Sequence, residues 1–330
     1  MLIVDAHLDL AFNVGRGRDV TRPALEQPVV DNEIATVGLP DLRRGNVGLV
    51  CATIFAEPKN QWFPQGYSDA DGAHAVARRQ LDWYAARFAD GSMRLVRYAA
   101  ELPLAPEPGI AAILLLEGAD PIRDEDDVRA LHDAGVRVVG LAWKRTAHAG
   151  GTGEPGGLTD LGRRTVRALD ERRLIHDASH LAEQAFWELI ELSHGPVIAS
   201  HSNCRAIAPG DRQLSDGMIR AIAARGGVVG INLFHKFLLP TDEIGKRRAR
   251  LDDVVRHVRH VVELLGSVRN VGLGTDMDGG LGREQIPVEL STSADLGRIG
   301  EALSQDGFSD DDVAAVMGDN WLHFFRAALR

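Results

Sequence analysis

Short runs of β-branched and apolar residues recur along the chain, at Leu2 to Ala6, Val47 to Phe55, Ile110 to Leu116, Val136 to Ala142, Leu174 to Asp177, Val197 to Ser200, Val228 to Phe234 and Val271 to Gly274. Each is short and nearly continuous in its apolar character, as expected of a strand covered on both faces of a parallel sheet. Between most of them the apolar positions change to helical spacing with recognisable ends. Asp124, Thr159 and Ser215 stand where N-caps belong, and Gly226 closes the third of these helices. The βαβα alternation predicts an α/β fold, and eight such units predict a (β/α)8 TIM barrel filling one domain, residues 1–330. No Pro/Ser-rich linker interrupts the series. The segment from Ala11 to Leu39 shows no clear helix and reads as an insertion (11–39) after the first strand.

Composition narrows the classes. With 45% hydrophobic and 25% charged residues, the chain is neither disordered nor fibrous. Its longest apolar run, Ile110 to Leu116, is far below the ~18 to 20 residues of a membrane span, so no membrane crossing is expected. Asp5, His7 and Asp9 interrupt the N-terminus before a signal-type apolar core forms, and a cytoplasmic location is the expectation. Cys51 and Cys204 supply neither a disulfide framework nor a four-thiolate metal site and are expected to be buried thiols. A net charge of −10 argues against a nucleic-acid partner.

Barrel enzymes carry their chemistry where the strands end, on the C-terminal rim. Here the first strand runs into Asp5-Ala6-His7-Leu8-Asp9, the third into Glu117, the fifth into Ser179-His180, the sixth into Ser200-His201 and the eighth into Asp276. Side-chain alternation places His7 and Asp9 on one side, toward the mouth. A single strand-end histidine is usually a hydrogen-bonded core or rim residue, and Glu117 alone would be satisfied by an ion pair with Arg145 or Arg212. The set converging on one rim instead matches nitrogen and oxygen ligands for a pair of divalent ions.

The stretches VDAHLDL, LRRGNVG, LLLEGAD, LTDLGRR, HDASHL, VIASHSNCRAI, DRQLSDGMI, VGLGTDMDG and GDNWLHFF resemble, in order and spacing, the membrane dipeptidase (renal dipeptidase) family of zinc peptidases, within the metal-dependent hydrolase barrels. The resemblance runs along nearly the whole chain. It implies two Zn2+ ions, with His7 and Asp9 on one, His180 and His201 on the other and Glu117 bridging both. It implies that Asp276 moves protons while a metal-bridging hydroxide attacks the peptide bond of a dipeptide, L,D-dipeptides included, and that Arg212 grips the substrate's free carboxylate. A homodimer is also implied. Asp278 reads either as a partner of this machinery or as an acceptor for loop amides.

One position departs from the pattern. Where relatives carry a histidine after strand four, the sequence GLAWKRTAHAGGTG places Trp143, with Lys144, Arg145 or His148 available to replace that donor. Trp143 and His148 are therefore candidate substrate contacts, and the glycines at 150, 151, 153, 156 and 157 suggest a mobile or tightly turned cover. Lys144 opens a rival arrangement, a carboxylated lysine bridging the metals, against which Glu117 speaks. Two other functions stay open: a metal-dependent hydrolase of another small amide, lactone or phosphoester, and a catalytically silent metal-binding barrel. The amphipathic segment from Ser309 to Arg330 packs either on its own barrel or on a partner, the former being commoner.

Overall fold

A computed structural model describes residues 1–61 and 63–330. Eight parallel strands, β1 (Ile3–Leu8), β2 (Val47–Phe55), β3 (Ile110–Glu117), β4 (Val136–Gly140), β5 (Ile175–Asp177), β6 (Val197–Ile198), β7 (Val229–Ile231) and β8 (Val271–Leu273), pair in the order β7-β8-β1-β2-β3-β4-β5-β6. A parallel bridge between Ala199 and Val229 brings β6 beside β7 and closes the ring. The result is the (β/α)8 barrel expected from the alternation. β3 shows why: all eight of its residues are buried, so a run of Ile, Ala and Leu serves both faces. The expected caps form. Asp124 accepts from the amides of Asp126 and Asp127, Thr159 from Gly162 and Ser215 from Met218, while Gly226 adopts a left-handed φ of 70° after the helix Asp216–Ala224.

The interior of the barrel is filled by Val4, Ala6, Leu49, Cys51, Ala111, Ile113, Leu115, Val138, Ile175 and Ile198. The indole of Trp321 packs with this layer and donates to the Leu273 carbonyl at 2.9 Å. The C-terminal segment thus covers its own barrel, as Asp310–Ala314, a π-helical turn Ala315–Asp319 and Asn320–Ala328. Three features differ from the sequence reading. The segment 11–39 is not free of helix: Leu10–Gly15 and a 3-10 turn Ala24–Glu26 lie at its start and middle. A short strand Met93–Leu95 adds to the outside of β3. The glycine-rich cover is an antiparallel hairpin, Ala149–Gly151 with Glu154–Leu158. Among the described residues, no helix is long and apolar enough to cross a membrane. Both cysteines are free and buried.

Candidate active site and metal centre

Glu117 ends β3 in the same register as Ala111, Ile113 and Leu115, so the alternation that fills the barrel interior delivers its carboxylate to the mouth. β1 needs a departure from that alternation. Its pairing with β2 shifts between Asp5 and Leu8, so Ala6 lies in the inner layer, Leu8 in the outer one and His7 turns to the rim. His180 and Asp276 reach the mouth from loops in which each has a left-handed backbone, φ 66° and 58°. Gly279 leaves room for this carboxylate, since a Cβ there would stand 1.8 Å from Asp276 Oδ1 and push it aside.

These side chains converge. Glu117 Oε2 lies 3.3 Å from His7 Nε2, and Oε1 lies 3.2 Å from His180 Nε2 and 3.6 Å from His201 Nε2. The two histidine nitrogens of His180 and His201 face each other at 2.9 Å, and His7 Nε2 is 3.9 Å from Asp9 Oδ2. Among the described residues, His7 with Glu117 and His201, and His7 with Asp9 and Asp276, offer ligand atoms within 4.8 Å of one another. The mouth is a cavity of about 430 Å3 whose walls include Asp9, Glu117, Trp143, His180 and Asp276. An adjoining cavity of about 320 Å3 shares Phe12, Arg16, Phe55, Glu57 and Phe63 with it.

Three buried carboxylates in one mouth demand compensation. Burial, then the charge of Glu117, raises Asp9 to about 6; burial, with Asp9 and Glu117 adding, raises Asp276 to about 8. Glu117 goes the other way: burial opposes its ionisation, but His7 and His180 hold it well below the usual carboxylate range. Burial lowers His180 to about 4 and His201 well below its ordinary value, leaving neutral imidazoles. His7 goes up: burial opposes its protonation, but Glu117, Asp9 and Asp276 raise it to about 10, and its buried Nε2 has no aligned hydrogen bond. Imidazole nitrogens and carboxylates aimed at a common point are the donor set that divalent cations take, displacing the His7 proton, so the residues present fit a pair of metal ions.

The supporting contacts lie outside the residues singled out from the sequence. Thr53 donates to Asp9 Oδ1, Thr152 Oγ1 meets His180 Nδ1 at 2.9 Å, and Asn232 Nδ2 donates to Asp276 Oδ2 at 2.8 Å. Ser179, whose hydroxyl accepts the His201 amide at 3.1 Å, and Ser200, whose hydroxyl meets His201 Nδ1 at 2.8 Å, are the exceptions, each named beside a candidate histidine. Asp278 accepts from the Thr36 amide and hydroxyl, both at 2.7 Å, and from the Val37 amide at 3.0 Å, the loop-amide role. The ion pairs considered for Glu117 do not form with Arg145, which reaches Glu154 and the Pro155 carbonyl instead. Arg212 is buried and, like His148, not among the residues lining the mouth; it donates to Ser202 Oγ at 2.9 Å and to the His201 carbonyl at 2.5 Å. Trp143 stands on the wall, edge-on to Phe55 with centroids 5.2 Å apart, and Lys144 Nζ lies over its ring. His148 is placed elsewhere: its ring is fully buried, off the mouth wall, with neither nitrogen hydrogen-bonded, and burial lowers it to about 4.

Comparison with known proteins follows the same line. The family model for membrane dipeptidases, peptidase family M19, matches residues 1–329. The chain belongs to that family. A Klebsiella pneumoniae protein known only as an uncharacterized protein in the pqqA 5′ region is 32% identical over 250 residues, covering 72% of this chain and 89% of its own. A crystal structure of the dipeptidase AC, a metallopeptidase of family M19, superposes with a TM-score of 0.85 at 26% identity, covering 100% of this chain and 99% of its own. A Rhodobacter sphaeroides metallopeptidase liganded with a phosphinate mimic of the dipeptide L-Ala-D-Ala gives a TM-score of 0.83 at 26% identity, over 99% of both chains. Within the membrane dipeptidase family, then, this chain has the barrel and a metal-capable mouth, with Trp143 on its wall.

Proposed function

We propose that the protein is a zinc-dependent dipeptidase acting on dipeptides with a free C-terminal carboxylate, L,D-dipeptides included, with two Zn2+ ions held by His7, Asp9, Glu117, His180 and His201. Glu117 carries the reading: its two oxygens face imidazoles from three separate parts of the barrel at 3.2 to 3.6 Å, as a ligand shared between two cations does. The liganded Rhodobacter sphaeroides relative supports the choice of a dipeptide and of a D-residue at its C-terminal side. Bound there, divalent cations polarise a carbonyl and make water a nucleophile near neutral pH.

The chain's own groups supply the rest. Asp276, held by Asn232, accepts the proton released as water adds to the carbonyl carbon. It returns that proton to the nitrogen as the C–N bond breaks, so the amine departs neutral. Arg212 supports the substrate carboxylate through its charge, two of its nitrogens being already fixed by Ser202 and His201 while Nε is without a partner. Trp143 and Phe55 give the substrate an apolar wall. Beyond the metal cluster, the wall described presents Asp31, Glu33 and Glu57 against the guanidinium of Arg16, an unfavourable surround for a phosphoester dianion.

The test is a panel of L,L and L,D dipeptides with zinc-loaded and chelated enzyme. Turnover should vanish on chelation, return with zinc and be lost in His201→Ala. Undiminished turnover in that variant, or none on the whole panel, sinks the proposal.

A further inference from the structure

His7 ends β1 and His201 follows β6, yet their rings lie side by side with centroids 3.6 Å apart. Their Nδ1 atoms converge on one hydroxyl: Ser200 Oγ is 3.1 Å from His7 Nδ1 and 2.8 Å from His201 Nδ1. The same oxygen lies 2.5 Å from Asp177 Oδ2, at the end of β5. The other carboxylate oxygen of Asp177 accepts the amides of Ser179 at 3.0 Å and Ser200 at 2.9 Å. All four side chains are buried, which removes water as a competing partner.

Counting protons settles the direction of each bond. A serine hydroxyl has one hydrogen and two lone pairs, and a carboxylate only accepts. The Ser200 hydrogen therefore goes to Asp177, which leaves the oxygen able only to accept from the two imidazoles. Each Nδ1 must then carry a proton, which leaves Nε2, the atom that faces Glu117 in both residues, as the nitrogen a metal would take, with His7 giving up its second proton on binding. We propose that Ser200, oriented by Asp177, is a positioning residue that fixes the Nδ1–H tautomer of His7 and His201 together and so readies both rings as metal ligands. His180 is outside this device, because its Nδ1 meets Thr152 Oγ1 instead. The inference rests on the reading of these imidazoles as zinc ligands, but not on the identity of the substrate.

Two variants of the full-length protein test it, with histidine 15N resonances and zinc titration in place of activity. In the zinc-loaded wild type, His7 and His201 should both show a protonated Nδ1 and an unprotonated Nε2. Ser200→Ala should weaken zinc binding roughly 10- to 100-fold, the usual effect of deleting a partner of a metal-bound histidine. Asp177→Asn is the sharper probe, since it preserves shape. Its amide nitrogen must replace Oδ2, because the Oδ1 position accepts two backbone amides, so it donates to Ser200 and turns the serine hydrogen toward an imidazole. Zinc affinity should fall by a similar factor and the His180 resonances should stay put. Wild-type zinc affinity in Asp177→Asn, or a protonated Nε2 on either ring of the zinc-loaded wild type, overturns the proposal. If the dipeptide panel shows no turnover while these results hold, the hydrolase reading fails and the positioning role stands.

Discussion

Asp276→Asn separates the proton-carrying role proposed for that residue from a structural one. Asparagine tolerates the left-handed backbone at φ 58° and can still accept from Asn232 through its amide oxygen, so the fold around it should hold. What is lost is a group able to take a proton, and general acid–base catalysis of this kind is worth ~10^2- to 10^4-fold, or about 3 to 5 kcal/mol of barrier. The metal-free protein should respond oppositely. There the Asp276 carboxyl is raised to about 8, by burial first and then by Asp9 and Glu117, so its ionisation opposes folding as pH rises from about 4 to about 8. A shift of that size has a ceiling of about 6 kcal/mol, and water entry and relaxation should leave about 1 to 3 kcal/mol. The metal-free variant should therefore be more stable than wild type at pH 8 and equal to it below pH 4. The measurements are kcat/KM, metal content of the loaded enzyme and urea unfolding of the metal-free enzyme at both pH values. A variant retaining more than a tenth of wild-type kcat/KM refutes the proton role, and one that has lost a metal ion makes Asp276 a ligand instead.

Three further substitutions probe the scaffold. Asp170 accepts from Ser193 Oγ, the His194 and Gly195 amides and His176 Nε2; burial opposes its ionisation, but these partners bring it to about 2. Its stabilisation is present above about pH 4 and is lost as pH falls through 2, so Asp170→Asn should cost about 1 kcal/mol at pH 7, after allowance for solvent screening, and little at pH 2; an equal cost at both would refute the ionic part. Gly272→Ala would place a Cβ 2.3 Å from Trp321 Nε1, expelling the indole from its bond to Leu273, and should lower unfolding stability by about 2 to 4 kcal/mol; unchanged stability would show that the C-terminal segment does not seal the barrel. Asp278→Ala strands the Thr36 and Val37 donors and leaves Arg18, whose Nη1 lies 2.9 Å from Asp278 Oδ1, without its buried counter-charge, at about 3 to 5 kcal/mol; limited proteolysis should cut first within 11–39, and cleavage elsewhere would count against this anchor.

The barrel was legible because its strands are buried on both faces, so apolar runs such as Ile110 to Leu116 needed no partner to be recognised. The metal-capable cluster was legible for a related reason: a barrel brings every strand end to one rim, so His7, Glu117, His180, His201 and Asp276 meet although they span most of the chain. Strand lengths were less visible. β6 and β7 are cut to two and three residues where the backbones crowd, a Cβ on Gly230 standing only 1.9 Å from the Ser200 carbonyl oxygen. The hairpin at 149–158 carries few of the residue types that mark strands. It pairs because Gly150 and Gly156 lack side chains, and a Cβ on Gly150 would meet the Gly156 backbone at 2.6 Å. His148 reads as a polar loop residue, but burial is set by the hairpin folded around it. The family resemblance pointed to Arg212 without showing that two of its nitrogens are taken.

The distribution of backbone strain ties the two halves of the picture together. His180, Asp276 and Asp278 all hold left-handed φ values, between 58° and 66°, a conformation that costs a non-glycine residue about 1 to 2 kcal/mol. Asp and His are among the side chains that tolerate it best, and glycine, which tolerates it better still, would remove an imidazole, a carboxylate of the mouth and the anchor of the 11–39 segment. The turns after β5 and β8 therefore combine a sharp change of direction with a side chain that must point into the mouth or brace it. Local stability alone would favour glycine at all three positions. The chemistry of the rim accounts for its absence, with the surrounding barrel, buried and closed through Ala199 and Val229, supplying the rigidity that keeps these turns in place.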